Sequence, residues 1–276
     1  MTKRILSTIC LWTFIGALLW RFSNPGAVVL VGVIGMLTLR EFYKFQTSAG
    51  RAPFAKLGMI FGTLITVAPW LEARYGWQSD RLMALAVILF SIRILGEREA
   101  NRRASSLSST LFGLAYVAVT LQYLVRILTP HGGDTISAEG RMLLCLWIVV
   151  VAKMCDTGAL LTGLALGRHK MAPDISPKKT WEGAVGGVLT SVLVGTVFAW
   201  FSRNQTGVCL SLSKAALIAV PVAVVSIVSD LIESILKREA DIKDSGSSIP
   251  GIGGIFDLSD SILLAAPVGF FLLGIK

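Results

Sequence analysis

Long apolar runs alternate with short polar connections over the whole chain. They predict nine membrane-spanning helices, at about 5–20, 27–39, 57–71, 82–95, 107–125, 142–166, 183–201, 214–236 and 261–275. A helix needs about 20 residues to cross a bilayer, so the shorter runs must take in flanking polar positions. The first run follows Lys3-Arg4 as a secretory signal would, but no small-x-small cleavage pattern comes after it and Trp20-Arg21 bounds it. It is read as an uncleaved first span. Asn24-Pro25-Gly26 predicts a tight turn into the second. Gly183 and Gly187, four apart at the start of the seventh run, predict a small face suited to close helix contact. With no internal repeat, the expected fold is all-α, a polytopic integral membrane protein in one continuous membrane domain. Residues 1–135 would hold the first five spans, and residues 136–276 the last four with their polar loops.

Composition sharpens this expectation. The chain is 54% hydrophobic and 16% charged, with a mean hydropathy of +0.70, whereas a soluble protein carries about 25% charge. The net charge of +9 could suggest nucleic acid, but the bases sit in short loops between apolar runs. That is the pattern of membrane orientation, and no nucleic-acid partner is expected. The amino terminus and the loops after the second, fourth, sixth and eighth runs hold sixteen bases, and the opposite side holds eight. The asymmetry places the amino terminus and both polar motif loops in the cytoplasm and the carboxyl terminus outside, in the cytoplasmic (inner) membrane. Cys10, Cys145, Cys155 and Cys209 are scattered, without a C-x-x-C or a nearby histidine pair, so neither disulfide nor zinc is expected.

The polar residues inside the last apolar runs carry the candidate chemistry. Ser226, Asp230, Glu233, Ser234 and Lys237 follow a spacing that puts them on one helical stripe. A carboxylate carried toward the bilayer costs about 2.5–3.5 kcal/mol on insertion scales, so this stripe should face protein, water or a metal. Pro250-Gly251 and Gly253-Gly254 then let the backbone turn tightly, and Asp257 and Asp260 close the stretch on one helical face. Asp156, Asp230, Asp257 and Asp260 are the candidate acids, hard oxygen ligands of the kind that suit Mg²⁺ bridging a polyphosphate. Lys178, Lys179, Lys237, Arg238 and Lys243 are the bases that could hold phosphate oxygens. Plainer readings stand beside these. Asp230 could form an interhelical pair with Lys153, Lys178-Lys179 could touch anionic lipid, and Trp181 could be an interfacial anchor. His131 and His169 are not expected to act as catalytic bases. No Walker A and no G-x-S-x-G pattern is present.

The stretch D-L-I-E-S-I-L-K-R-E-A-D-I-K-D-S-G-S-S-I-P-G-I-G-G-I-F-D-L-S-D-S resembles the C-terminal motif of the phosphatidate cytidylyltransferases (CDP-diacylglycerol synthases). That motif reads S-x-x-K-R, four residues, K-D, then P-G-H-G-G and D-R-x-D. The match falls on Ser234, Lys237, Arg238, Lys243, Asp244, Pro250, Gly251, Gly253, Gly254, Asp257 and Asp260 with every spacing kept. Upstream, C-D-T-G-A and I-S-P-K-K-T-W-E-G-A-V-G-G resemble the family's mid-chain elements, on Asp156, Ser176, Pro177, Lys178, Lys179, Thr180, Glu182 and Gly183. The likeness is firm over about 153–267. Two positions depart from it, Ile252 where the family has histidine and Leu258 where it has arginine.

The resemblance implies the reaction CTP + phosphatidate → CDP-diacylglycerol + pyrophosphate. It implies Asp230, Asp257 and Asp260 as ligands of Mg²⁺, with Asp156 as a ligand or orienting group. A monovalent cation such as K⁺ is a companion in some members. It assigns Lys237, Lys243 and Asp244 to the catalytic set. Lys178, Lys179, Thr180, Glu182, Ser234, Arg238, Gly253 and Gly254 fall to substrate binding. CTP, phosphatidate and membrane lipids are the implied partners, and a second copy of the chain is a further candidate. Rival readings are a related CTP-dependent lipid enzyme, acting on another lipid phosphate or as a polyprenol kinase, an ion-coupled transporter, and an inactive membrane scaffold. Transporters usually carry paired repeats with interrupted helices, and this chain has none.

Overall fold

The protein is described by a computed structural model covering residues 2–97, 99–130, 136–203, 210–242 and 254–275, with side chains from Ser23 onward apart from Ala100 and Asn101. Its helices are α1 (Thr2–Ser48), α2 (Ala55–Tyr75), α3 (Ser79–Arg93), α4 (Ala100–Gly113), α5 (Val119–Leu128), α6 (Ala138–Leu166), α7 (Trp181–Ser202), α8 (Leu212–Glu239) and α9 (Ile255–Leu273). A π-turn, Leu114–Ala118, joins α4 to α5. Two short strands, β1 (Lys170–Ala172) and β2 (Ser176–Thr180), stand between α6 and α7. Each apolar run falls on a helical segment, and the helices run on past the apolar stretches by as many as nine residues. Six segments among the described residues are long and apolar enough to cross a membrane: Ser23–Ser48, Arg102–Leu128, Ala138–Leu166, Trp181–Ser202, Leu212–Glu239 and Ile255–Leu273. The helix α3 is not among them. At 15 residues it rises only about 22 Å, short of a hydrocarbon core of about 30 Å. The chain is an integral membrane protein.

Two features differ from the sequence expectation. Asn24-Pro25-Gly26 is helical, and the break falls one residue earlier, at Ser23 (φ 50°, ψ −133°). Proline lacks an N–H and tolerates the first turn of a helix, so Pro25 can open the second half of α1. Asn24 anchors that start by donating from Nδ2 to the Leu128 carbonyl at 3.0 Å. The second feature is the antiparallel hairpin β1–β2, which pairs Lys170 with Thr180 and Ala172 with Ser176 within a stretch expected to be a plain loop. Ala172-Pro173-Asp174-Ile175 makes its turn, with the Ile175 N–H donating to the Ala172 carbonyl at 3.3 Å. Proline second and aspartate third suit that geometry.

The chain forms two compact units, one of Met1–Thr129 with Leu236–Ser259, the other of Pro130–Ile235 with Asp260–Lys276. In the first, Leu39, Phe42, Tyr43, Phe45, Ile65, Leu114, Val117, Leu121 and Phe256 are buried. The Tyr43 ring occupies the space a Cβ would need at Gly58 and at Gly113, and its hydroxyl donates to the Thr110 carbonyl at 3.1 Å. In the second unit, Gly183, Gly187, Ser191, Gly195 and Ala199 form the buried stripe of α7. The small face expected from Gly183 and Gly187 is there, and it extends along the whole helix. Close approach leaves polar groups able to bond across the gap, as small residues permit within membranes. Ser191 donates to the Val151 carbonyl and Trp147 Nε1 to the Gly195 carbonyl, each at 2.8 Å.

Candidate functional site

The second unit brings Asp156, Lys178, Lys179 and Asp230 to one pocket. A cavity of about 290 Å³ is lined by Asp156 and Leu160 of α6, Met171, Ser176, Lys178 and Lys179 of the hairpin, Thr180 and Gly183 at the start of α7, and Ile227 and Asp230 of α8. Lys179 Nζ pairs with Asp230 Oδ2 at 2.7 Å. Lys153 Nζ lies between two acids, 3.3 Å from Asp156 Oδ2 and 3.4 Å from Asp260 Oδ1. The pair contemplated from sequence, Asp230 with Lys153, is replaced by these two arrangements. Lys179 projects from a strand and reaches Asp230 first, leaving Lys153 to the acids beside it.

Beside these pairs lies a denser group. One carboxylate oxygen from each of Asp230, Glu233 and Asp260 falls within 4.8 Å of the other two. Glu233 and Asp260 are buried and Asp230 is half-buried. Asp260 Oδ1 accepts from the Ser261 N–H at 2.6 Å, and the Ser229 hydroxyl donates to the Asp260 carbonyl. Four carboxylates, counting Asp156, thus share two lysines. Like charges this close in a low-dielectric setting call for a proton or a cation among them. Asp230, Glu233 and Asp260 are the described residues whose donor atoms come together closely enough to share an ion.

The hairpin that delivers Lys178 and Lys179 is held by Glu182. Its carboxylate accepts from the Arg168 N–H at 3.1 Å and the His169 N–H at 3.2 Å, and the His169 ring Nδ1 bonds to its other oxygen. Trp181 N–H donates to the His169 carbonyl at 3.0 Å, closing the base of the hairpin. Thr180 is buried as the cap of α7, its hydroxyl accepting from the Gly183 N–H at 3.1 Å. Both residues were expected at the substrate. Glu182 is occupied by main chain, and Thr180 lines the pocket while capping the helix.

The first unit holds the rest of the described candidates apart from Ser234, which belongs to the second. Lys237 pairs with Asp257 Oδ1, and Asp257 Oδ2 accepts from the Gly254 N–H at 3.1 Å. Glu41, buried in α1, accepts from the Phe256 N–H at 2.8 Å. It thereby satisfies an orphan donor at the start of α9, 215 residues away in sequence. Ser234 is half-buried and Arg238 exposed on α8. Lys243, Asp244, Pro250, Gly251, Ile252 and Gly253 lie outside the described residues. Spacing places Glu233 on the stripe of Asp230 and gives it no further role. Glu41 has no sequence signal, because nothing periodic links residue 41 to residue 256.

Comparisons with known proteins agree with this picture. The model of the Cytidylyltransferase family matches residues 2–275. The chain is 36% identical to a phosphatidate cytidylyltransferase of Haemophilus influenzae over 281 residues, covering 97% of this chain and 96% of that protein. It is 32% identical to the phosphatidate cytidylyltransferase of Synechocystis over 301 residues, covering 98% and 95%. A Bacillus subtilis protein of the same name is 27% identical over 254 residues, covering 90% and 88%.

Proposed function

This chain belongs to the cytidylyltransferase family, and on that premise we propose that it transfers the cytidylyl group of CTP to phosphatidate, giving CDP-diacylglycerol and pyrophosphate. The observation that carries the reading is the pocket in which Lys178 and Lys179 meet Asp156 and Asp230 beside the Asp230–Glu233–Asp260 group. A phosphate oxygen of phosphatidate forms the new bond to the α-phosphorus of CTP. The bond from that phosphorus to the bridging oxygen breaks, and the electron pair leaves with pyrophosphate. No proton need move, because phosphatidate arrives as an anion at pH 7. The residues hold two polyanions together and meet the charge of the departing group. Lys178, Lys179, Lys237, Arg238 and Lys243 hold phosphate oxygens, while Lys153 orients Asp156 and Asp260.

The donor set fits a hard divalent cation, since three carboxylate oxygens converge within 4.8 Å with no thiolate or imidazole among them. Asp230, Asp260 and Glu233 would hold Mg²⁺, with Asp156 as ligand or orienting group. Asp257, one turn before Asp260 on α9, keeps its place among the expected ligands. When bound, the ion supplies charge neutralisation on the phosphates. Glu182 serves substrate binding indirectly, by positioning the hairpin. We also infer nine spans in the inner membrane, with the amino terminus and the pocket cytoplasmic, on the strength of the sixteen-to-eight distribution of bases.

The deciding experiment is radiolabelled CTP with phosphatidate, Mg²⁺ and the purified protein in detergent. Labelled CDP-lipid and released pyrophosphate in equal amounts are expected. With the label on the α-phosphorus of CTP, no label in lipid overturns the assignment.

A further inference from the structure

A second cavity, of about 420 Å³, lies in the first unit and is untouched by the chemistry above. Its size falls in the range of about 300–1,000 Å³ typical of small-molecule sites. It sits at the end of the membrane-spanning segment Ser23–Ser48. Arg40 and Lys44 line it one helical turn apart, and Ser48 ends the same helix. The remaining wall is largely apolar: Phe45 of α1, Ala55 and Met59 of α2, and Ile242.

The donors and charges around it point one way. No described carboxylate lines the cavity. Glu41, one residue from Arg40, is buried on the other face and accepts from the Phe256 N–H. Arg51 is paired with Glu239 at 3.1 Å. Arg40 and Lys44 form no ion pair with a described residue, and both are exposed. The hydroxyls of Tyr43 and Thr47 donate elsewhere, to the Thr110 and Tyr43 carbonyls. Arg40, Lys44 and Ser48 therefore remain as donors, at the rim of an apolar floor. Side chains at i and i+4 stand about 5–6 Å apart, a separation that lets two cations grip one phosphate from either side. Two bases above a greasy cleft at the end of a span fit a molecule with an anionic head and an apolar tail.

We propose that this cavity binds the phosphate headgroup of an anionic phospholipid, with the upper part of its acyl chains against Phe45, Ala55, Met59 and Ile242. The guanidinium of Arg40 takes two phosphate oxygens, and the Lys44 ammonium supplies a point charge to a third. The site is separate from the cytidylyl-transfer pocket in its residues, so it stands or falls independently of the proposed reaction.

The test is native mass spectrometry of the whole protein in detergent, titrated with dioctanoyl phosphatidylglycerol or dioctanoyl phosphatidylcholine. Wild type is compared with the double variant R40Q/K44Q and the charge-preserving R40K/K44R. Wild type should bind one more phosphatidylglycerol than R40Q/K44Q, with affinity for that lipid at least about tenfold higher, as loss of charge-assisted hydrogen bonds predicts. R40K/K44R should retain the extra lipid, and phosphatidylcholine should not distinguish the proteins. Cytidylyl transfer in detergent should be the same for wild type and R40Q/K44Q, which also shows that the variant is folded. Equal phosphatidylglycerol binding by wild type and R40Q/K44Q overturns the proposal. So does displacement of the extra lipid by millimolar inorganic phosphate, which would mark a bare anion site.

Discussion

Asp230 meets two demands at once, holding Lys179 at 2.7 Å and standing within 4.8 Å of a Glu233 and an Asp260 oxygen. Asp230→Ala removes the partner of Lys179 and a third of the carboxylate group together. We expect CDP-lipid formation at saturating Mg²⁺ to fall by roughly 100-fold or more, about 2.7 kcal/mol in barrier height. The thermal unfolding midpoint should change little, because the residue is half-buried at a pocket wall. Asp257→Ala should lose activity on the same scale, and full activity in either variant removes that residue from the site. Ile252 is a different case, standing where the motif this stretch resembles has histidine. If phosphatidate enters ionised, no side-chain base is needed there. Ile252→His should change kcat by less than ~10-fold, about 1.4 kcal/mol. A gain of roughly 100-fold on adding both that histidine and Leu258→Arg would instead mark the chain as a decayed relative.

The hairpin is the element on which the pocket depends most visibly. Two strands of three and five residues have little stability alone. Three donors converging on Glu182 fasten this one to the first turn of α7. Glu182→Ala releases the hairpin while leaving Lys178 and Lys179 in the chain. The KM for CTP should rise by about 5- to 10-fold, equivalent to roughly one ordinary hydrogen bond, with a smaller change in kcat. Glu182→Gln keeps an acceptor oxygen and should recover part of the loss. A fall in kcat alone, with KM unchanged, would place Glu182 at the reacting groups. The start of α9 is held on the same principle, by a buried carboxylate from α1 at the Phe256 N–H.

At the scale of the whole molecule, orientation is the property open to a direct measurement. On the proposed nine spans, the distribution of bases would put the Gly167–Lys179 connection in the cytoplasm and the carboxyl terminus outside. A reporter fused after Lys276 should therefore read as extracytoplasmic, and one inserted between Asp174 and Ile175 as cytoplasmic. The same side for both means that the number of crossings between them is even, so that one of α7, α8 and α9 does not cross.

The helices were legible in the sequence because a bilayer leaves the backbone few options: polar groups must be satisfied within each segment, so apolar length alone marks a helix. The acids were legible for a related reason, since Asp156, Asp230 and Asp260 are costly inside apolar runs without a task. The tight side of α7 could likewise be read from Gly183 and Gly187. Which acid meets which base was not legible. Lys153 has three carboxylates within a plausible radius, and only packing in the second unit assigns it Asp156 and Asp260 while Lys179 takes Asp230. The hairpin showed a Pro-Asp turn locally, but its strands are short and lack the apolar alternation of a half-buried pair. Its stability comes from Glu182, outside the strands themselves. Glu41 at the start of α9 had no local trace at all. Spacing along one element reports which residues share a face, while the partner across 215 residues is chosen only when the helices pack.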